Sequence, residues 1–432
     1  MTHRPRSLSR PSLIGDTLVV PRDHDVIVYA PSRAQMCRVP TDPRSDLALH
    51  ARLTAAGFFA PMPMSIAPEV GPPVFRSLTL LLTRACNLAC RYCYASARPG
   101  GPAMPRALAT DAVDTYLDQL PGTIARITFH GGEPTLEADT IRSVVDRVTS
   151  ARPGVPHRYL ITTNGTCDPS FLDWMVAEQF GISISIDGPP DVQDRNRPFA
   201  DGSPSSPVVR ATIERLVAQQ APFTVRMTYT ATDDIDRTIG YFADLGVRSI
   251  HLEPLFPYGR EFDDPSTGPL PLAAPRGEDL VPAFVRALDL CRARGLRVVN
   301  SHFANFSRPA GYFCGSICGR AMFVTHDGLL TGCLEVVDGA DPLAPTFTLG
   351  RWRPTTHDFE LDPVALDRLR GRHADTLDPC RSCFARYHCA GGCAVKAVRG
   401  QGSLDERDRP YCAFTKAFVP ILTERIAADH GL

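Results

Sequence analysis

Short apolar runs and longer stretches of helical spacing alternate along the middle of this chain, from about residue 74 to about residue 300. The runs Ser77–Leu82, Ala125–Phe129, Arg158–Thr162, Gly181–Ile186, Phe223–Thr228 and Arg248–Leu252 read as strands. Between them Thr110–Gln119, Asp139–Thr149, Pro169–Gln179, Val208–Gln219 and Asp234–Leu245 read as helices. A sixth helix, Glu278–Arg294, follows a loop rich in Pro, Gly and Asp from Pro257 to Gly277. Six strand–helix units with short connections predict an α/β fold, either a parallel sheet or a partial barrel. Such folds place their sites at the carboxyl ends of the strands. Cys86, Gly131–Glu133, Thr163–Asn164, Asp187 and Glu253 all fall there.

Two flanking blocks break this rhythm. Residues 1–73 hold short β-like runs (Thr17–Val20, Asp25–Tyr29, Met36–Val39) and one helical stretch, Arg44 to Ala56, before a Pro-rich linker, Pro61–Pro73. They predict a small α+β segment. Residues 301–432 are Cys-rich with little periodicity, the expectation where bound clusters rather than an apolar core hold the chain together. The intervening unit, residues 74–300, is long enough for a substantial core.

Composition narrows the function classes. A formal net charge of −1 gives no reason to expect nucleic acid or an anionic membrane as partner. No segment approaches 18 uninterrupted apolar residues, and Met1–Pro11 lacks the apolar stretch of a secretory signal, so a cytoplasmic protein is expected. Only two lysines are present, Lys396 and Lys416, against abundant arginine, which reads as genome composition.

Cysteine changes the picture. Eleven of the fourteen cysteines fall into three groups: Cys86, Cys90 and Cys93; Cys314, Cys318 and Cys333; and Cys380, Cys383, Cys389, Cys393 and Cys412. The density is too low, and the chain too long, for a disulfide scaffold. A reduced compartment favours metal ligation, by iron–sulfur clusters before zinc. Three thiolates leave one iron of a four-iron cluster open, and four close a cluster. The counts fit one open site and two closed ones. Cys37, Cys167 and Cys291 are left over and read as buried thiols.

Cys86-Asn-Leu-Ala-Cys90-Arg-Tyr-Cys93 and His130-Gly131-Gly132-Glu133-Pro134 resemble the signatures of radical S-adenosylmethionine (SAM) enzymes. The resemblance implies a partial (β/α)6 barrel of TIM type, whose open iron chelates the amino and carboxylate groups of SAM. Gly131 and Gly132 would let the backbone approach the methionine ammonium, with Glu133 and Pro134 organising that site. Thr163 and Asn164, or Ser183 and Ser185, would reach the ribose; Tyr92 would cover the adenine. Arg197 would bind the cofactor carboxylate, and Glu253 cofactor or substrate.

The C-terminal block resembles a SPASM domain, in Cys318-Gly-Arg, Val324-Thr-His-Asp-Gly328 and Cys333, then in the C-x2-C-x5-C-x3-C run with Cys412. This implies three 4Fe–4S clusters in all. Cys314, Cys318, Cys333 and Cys393 would hold one auxiliary cluster, and Cys380, Cys383, Cys389 and Cys412 the other. The relatives so implied are maturases of ribosomally made peptides. They cleave SAM to a 5′-deoxyadenosyl radical with an electron from a donor such as a flavodoxin or ferredoxin. The expectation is a cross-link, C–C or C–S, on a precursor peptide, which residues 1–73 would dock by adding a β-strand. Alternatives are a sulfatase-type formylglycine maturase, a small-molecule dehydrogenase and a non-catalytic electron carrier. Asp327, Glu335 and Tyr312, near cluster ligands, are the catalytic candidates.

Overall fold

The computed structural model describes residues 11–15, 17–30, 33, 35–59, 66–122, 124–230, 234–260, 262, 277, 279–299 and 309–432. The expectations for residues 1–10, 61–65 and 263–276, and for Glu278, lie outside them.

The N-terminal block is an antiparallel meander of β1 (Ser12–Ile14), β2 (Thr17–Pro21), β3 (Val26–Ala30) and β4 (Gln35–Val39), followed by α1 (Leu47–Ala55). Asp46 starts that helix by accepting a hydrogen bond from the Leu49 amide, satisfying one of the free N–H groups of its first turn. Alternate residues of β2 and β3 face opposite ways. Val19, Val26 and Val28 pack with Leu53 and Phe58. Leu18, Val20, Ile27 and Tyr29 join the main core of the chain.

The large sheet has the order β11-β10-β9-β8-β7-β6-β5-β12-β13-β14-β15. Its first part is the barrel: β5 (Ser77–Leu81), β6 (Ala125–His130), β7 (His157–Thr163), β8 (Gly181–Ser185), β9 (Phe223–Tyr229) and β10 (Ser249–Pro254), paired parallel in chain order, with β11 (Arg297–Val299) beside β10. All six expected strands are present, their ends shifted by one or two residues. Helices α2 (Arg106–Asp118), α3 (Ala138–Ala151), α4 (Pro169–Ala177), α6 (Ser206–Ala218), α7 (Ile235–Asp244) and α8 (Leu280–Ala293) return the chain between strands. The short α5 (Pro190–Asn196), inserted after β8, lies in a segment read as loop.

Strand periodicity decides what the barrel shows its centre. Ile127, Phe129, Tyr159, Ile161, Ile182, Ile184, Val225, Met227, Ile250 and Leu252 are buried in the core. The alternating positions are half-buried and mostly polar: Thr128, Thr162, Ser183, Ser185, Arg226, Thr228, His251 and Glu253. They form the inner wall.

The C-terminal block corrects an expectation. It continues the barrel sheet, because β12 (Ala321–Thr325) pairs parallel with β5 before β13 (Leu329–Thr331), β14 (Thr348–Arg353) and β15 (Asp358–Leu361) turn antiparallel. Its apolar residues, Met322, Val324, Leu330, Phe347, Leu369 and Val395 among them, also join the main core of the chain rather than leaving the block to bound clusters alone. The terminal helix Arg409–Asp429 packs Phe414 and Phe418 against Phe284 of α8, with ring centroids 5.0 and 6.0 Å away. Pro420 inside that helix removes one backbone bond, a cost of about 3 kcal/mol that the buried aromatic face offsets. Among the described residues no helix is long and apolar enough to cross a membrane.

Candidate active site

The loop leaving β5 carries Cys86, Cys90 and Cys93 across the open end of the barrel. Burial pushes the Cys86 thiol up to about 12, and the neighbouring Cys90, Glu133 and Cys93 charges add to the shift. Cys90 is pushed up to about 11 by burial, with Arg197 pulling the other way. Buried thiols such as Cys86 and Cys90 become thiolates only when a cation neutralises them, which is what an iron cluster provides. The donor set therefore fits an open cluster.

The glycines after β6 pack closely on the cysteine loop. The Gly132 amide donates to Thr83 O (2.7 Å) and the Glu133 amide to Ala85 O (2.8 Å). A Cβ would stand 2.6 Å from Thr83 O at Gly131 and 2.2 Å from Ala85 O at Gly132. Gly131 also has φ of +132°, open only to glycine in practice. The close approach is thus to the cysteine loop itself, which the two motifs brace against each other.

Glu133 is 1% exposed and accepts from Thr135 N (3.1 Å), Thr135 Oγ1 (2.7 Å), Thr163 Oγ1 (2.7 Å) and Asn164 N (2.6 Å). Burial raises its pKa and those four bonds pull it down. It is an organiser whose oxygens are occupied from within. Pro134, buried, opens the short 3-10 turn Pro134–Glu137 that follows. Thr163 is spent on Glu133, so the hydroxyl sharing a face with Ser183 and Ser185 belongs to Thr162, which pairs with Ser183. Asn164 Nδ2 donates to Asn87 Oδ1 (2.8 Å) and lies 3.7 Å from Cys86 Sγ.

At the end of β8, Asp187 is fully buried and gathers four partners. Oδ1 accepts from the Thr228 amide (3.0 Å) and pairs with Arg197 Nε (3.0 Å). Oδ2 accepts from the Tyr92 hydroxyl and from Asn196 Nδ2 (3.2 Å). The Arg197 guanidinium lies 5.1 Å from the Tyr92 ring centroid, with Nη1 3.9 Å from Cys90 Sγ. Arg197 is thus a buried, anchored cation beside the cysteine loop rather than a solvated loop residue. Burial pushes the Tyr92 hydroxyl pKa well above its ordinary value, so Tyr92 is a neutral donor. Burial and the nearby Arg226 charge hold His130 down at about 4, leaving it a neutral ring.

Further around the wall, Glu253 is held between His251 Nε2 (3.3 Å) and Lys396 Nζ (3.3 Å). Lys396 reaches in from helix Ala394–Gln401 of the C-terminal block and sits 3.1 Å from the Phe256 ring centroid. Composition reasoning missed it. The one available signal was its rarity, two lysines in the whole chain. Among the catalytic candidates, Glu335 alone comes to the barrel mouth. It accepts from the Tyr258 hydroxyl (2.7 Å), and its charge acts on Tyr94, beside Cys93. Asp327 is engaged by Thr325 Oγ1 (2.5 Å) and Gly339 N (2.9 Å) in the β12–β13 turn. Tyr312 bridges Glu69 N (3.1 Å) and Arg370 O (3.2 Å). Both are structural struts.

The other eight cysteines form two sets whose charges interact within each set. Cys333 feels Cys393 and Cys314, and Cys318 feels Cys314. Cys380 feels Cys383 and Cys412, and Cys389 feels all three. Cys314 is exposed, with Sγ 3.1 Å from Ser316 Oγ. No group of three or more His, Cys, Asp or Glu among the described residues is arranged to hold a single metal ion. All-thiol sets of four fit closed four-iron clusters in donor chemistry.

Residues 80–239 match the radical SAM superfamily. The chain is 30% identical to the mycofactocin maturase MftC of Mycolicibacterium smegmatis, over 82% of this chain and 88% of that protein. It is 25% identical to the serine-type anaerobic sulfatase-maturating enzyme of Klebsiella aerogenes, over 77% of this chain and 82% of that one. The solved structure of native anSMEcpe with bound AdoMet and Cp18Cys peptide superposes with a TM-score of 0.63 at 18% identity, covering 84% of this chain and 100% of that chain. The fold and site are those of a SAM-dependent radical catalyst with an added C-terminal domain. The chain belongs to the radical SAM superfamily, whose members use SAM and a 4Fe–4S cluster, and within it to the maturase type.

Proposed function

We propose that this enzyme oxidatively cross-links side chains of a ribosomally made precursor peptide through a new C–C or C–S bond. The observation that carries the reading is the pairing of one open cysteine triplet at the barrel mouth with two four-cysteine sets behind it. A substrate that loses two hydrogens must give up an electron after its first hydrogen is taken, and the two further sets offer one-electron acceptors. Cys86, Cys90 and Cys93 would hold the first cluster. Cys314, Cys318, Cys333 and Cys393 would hold the second, and Cys380, Cys383, Cys389 and Cys412 the third.

When bound, SAM and the first cluster supply hydrogen-atom abstraction from an unactivated carbon. The rest falls to side chains already in place. Arg197, fixed by Asp187, presents a cation to the cofactor carboxylate. Thr162, Ser183 and Ser185 offer hydroxyls along the inner wall. Phe256, Tyr258 and Lys396 close the mouth and exclude water around a reactive species. Both faces of the N-terminal sheet are packed, so a peptide leader would dock on an outer edge of that sheet, at β1 or β4, each paired on one side among the described residues.

The likeness to sulfatase-maturating enzymes supports a second reading, oxidation of a Ser or Cys to formylglycine. One experiment separates them. Anaerobic reconstitution should load about twelve irons per chain, and dithionite with SAM should release 5′-deoxyadenosine. A precursor peptide encoded beside the gene should then lose two hydrogens and stay inert to a hydrazide. An aldehyde trapped by the hydrazide establishes the second reading, and no SAM cleavage in the loaded, reduced protein removes both. A low-potential flavodoxin or ferredoxin should replace dithionite.

A further inference from the structure

Arg372 is 2% exposed and forms no ion pair among the described residues, unlike its neighbour Arg370, which has Asp367 at 3.7 Å. A buried guanidinium without an opposite charge is strongly unfavourable. Backbone carbonyls answer it in part. Nη2 donates to Gly391 O (2.8 Å) and Gly392 O (3.4 Å), and Nη1 to Leu404 O and Glu406 O, while Nε has no hydrogen-bond partner among the described residues. The first two carbonyls belong to the stretch between Cys389 and Cys393, one cysteine from each four-cysteine set. That stretch turns through three left-handed residues, Ala390, Gly391 and Gly392, with φ of +47°, +79° and +76°. The other two belong to the loop leading to Cys412. Burial lowers the Arg372 pKa, and the groups that raise it again are Cys393, Cys380, Asp408 and Cys314. Asp408 caps the last helix with Oδ1, which accepts from Tyr411 N (3.2 Å), and its charge is shared with Lys396, while its Oδ2 has no hydrogen-bond partner among the described residues. The other groups that act on Arg372 are cysteines from both sets, which become anionic as ligands of a cluster.

We propose that Arg372 is the shared counter-charge of the two auxiliary cysteine sets, tying their loops together and raising the reduction potential of the cluster each one holds. A fixed positive charge stabilises the reduced, more negative state of a nearby cluster. One guanidinium between two sets biases both in the same direction, toward accepting the electron that a substrate releases. This rests on the proposal that both sets hold clusters, and the iron count tests that separately.

The experiment is a potentiometric titration, read by electron paramagnetic resonance, of the reconstituted full chain and of Arg372→Gln and Arg372→Lys. At fixed potential the ratio of reduced to oxidised auxiliary clusters should fall about tenfold in Arg372→Gln, which is about 59 mV for a one-electron couple. In Arg372→Lys, which keeps the charge and loses the fork, the ratio should move by less than about threefold. The first cluster should be unmoved in both. Loss of auxiliary iron in Arg372→Gln with retention in Arg372→Lys also supports the proposal. An unshifted Arg372→Gln, equal shifts in the two variants, or loss of iron in both would overturn it. Wild-type protein holding only about four irons would remove the cluster reading and the proposal together.

Discussion

Replacing Asp187 by Asn tests whether the end of β8 is the electrostatic anchor of the site. The carboxylate is fully buried and every contact it makes is to a donor: Thr228 N, Arg197 Nε, the Tyr92 hydroxyl and Asn196 Nδ2. An amide must turn its NH2 toward two of these. Facing Oδ2, the Tyr92 hydroxyl can rotate to accept, but Asn196 Nδ2 cannot. The larger loss is the charge. Arg197, 11% exposed, is left with the hydroxyl of Thr228 (3.3 Å) and the thiol of Cys90. Breaking a buried pair from one side costs about 3–5 kcal/mol, and the surviving partners reduce this to about 2–4 kcal/mol. Because a chain of several packed blocks need not unfold in one step, the readout is local. Hydrogen exchange of residues 187–197 and of the Thr228 amide in the apo chain should speed up about 30- to 1000-fold. Asp173→Asn, which breaks the exposed pair with Arg215, is the control and should leave that exchange unchanged. Exchange in Asp187→Asn within about threefold of wild type would refute the anchor.

Two further outcomes follow from the same geometry. Lys396→Met removes the pair with Glu253 and the contact with Phe256, but Glu253 keeps a third of its side chain in water and its bond to His251. The cost should be about 1–2 kcal/mol, seen as about 5- to 30-fold faster exchange in residues 253–260 and 394–401; no change there contradicts a stabilising role for the Lys396 contacts. His130, held at about 4 against an ordinary 6.5, favours folding while neutral. Its contribution is full above pH about 6.5 and lost as pH falls toward about 4, at most about 3 kcal/mol because the ring keeps some solvent contact. Unfolding midpoints measured across that range should fall with pH in wild type and fall less in His130→Gln; parallel slopes would contradict it.

Much of this protein was legible along the chain because its signals are local. The strands of the barrel announce themselves by apolar runs, and the cysteine triplet and glycine pair by spacing within one loop. Other features were invisible for the opposite reason. The choice between Thr162 and Thr163 turns on which way one strand faces, a one-residue difference that reverses inside and outside. Asp187 looks like any acidic residue after a strand until Tyr92, Asn196, Arg197 and Thr228 converge on it. The helix Arg409–Asp429 hides behind Pro410 and Pro420, and forms because Phe414 and Phe418 find Phe284.

By itself, then, the sequence determined the superfamily, the six barrel strands and the number of cysteine groups, since these depend on residues near one another in the chain. Only the tertiary structure decided that Lys396 enters the barrel mouth and that Arg372 lies against the loops that carry both cysteine sets. Each depends on segments tens to hundreds of residues apart meeting in a buried space, where charge, not spacing, selects the partner.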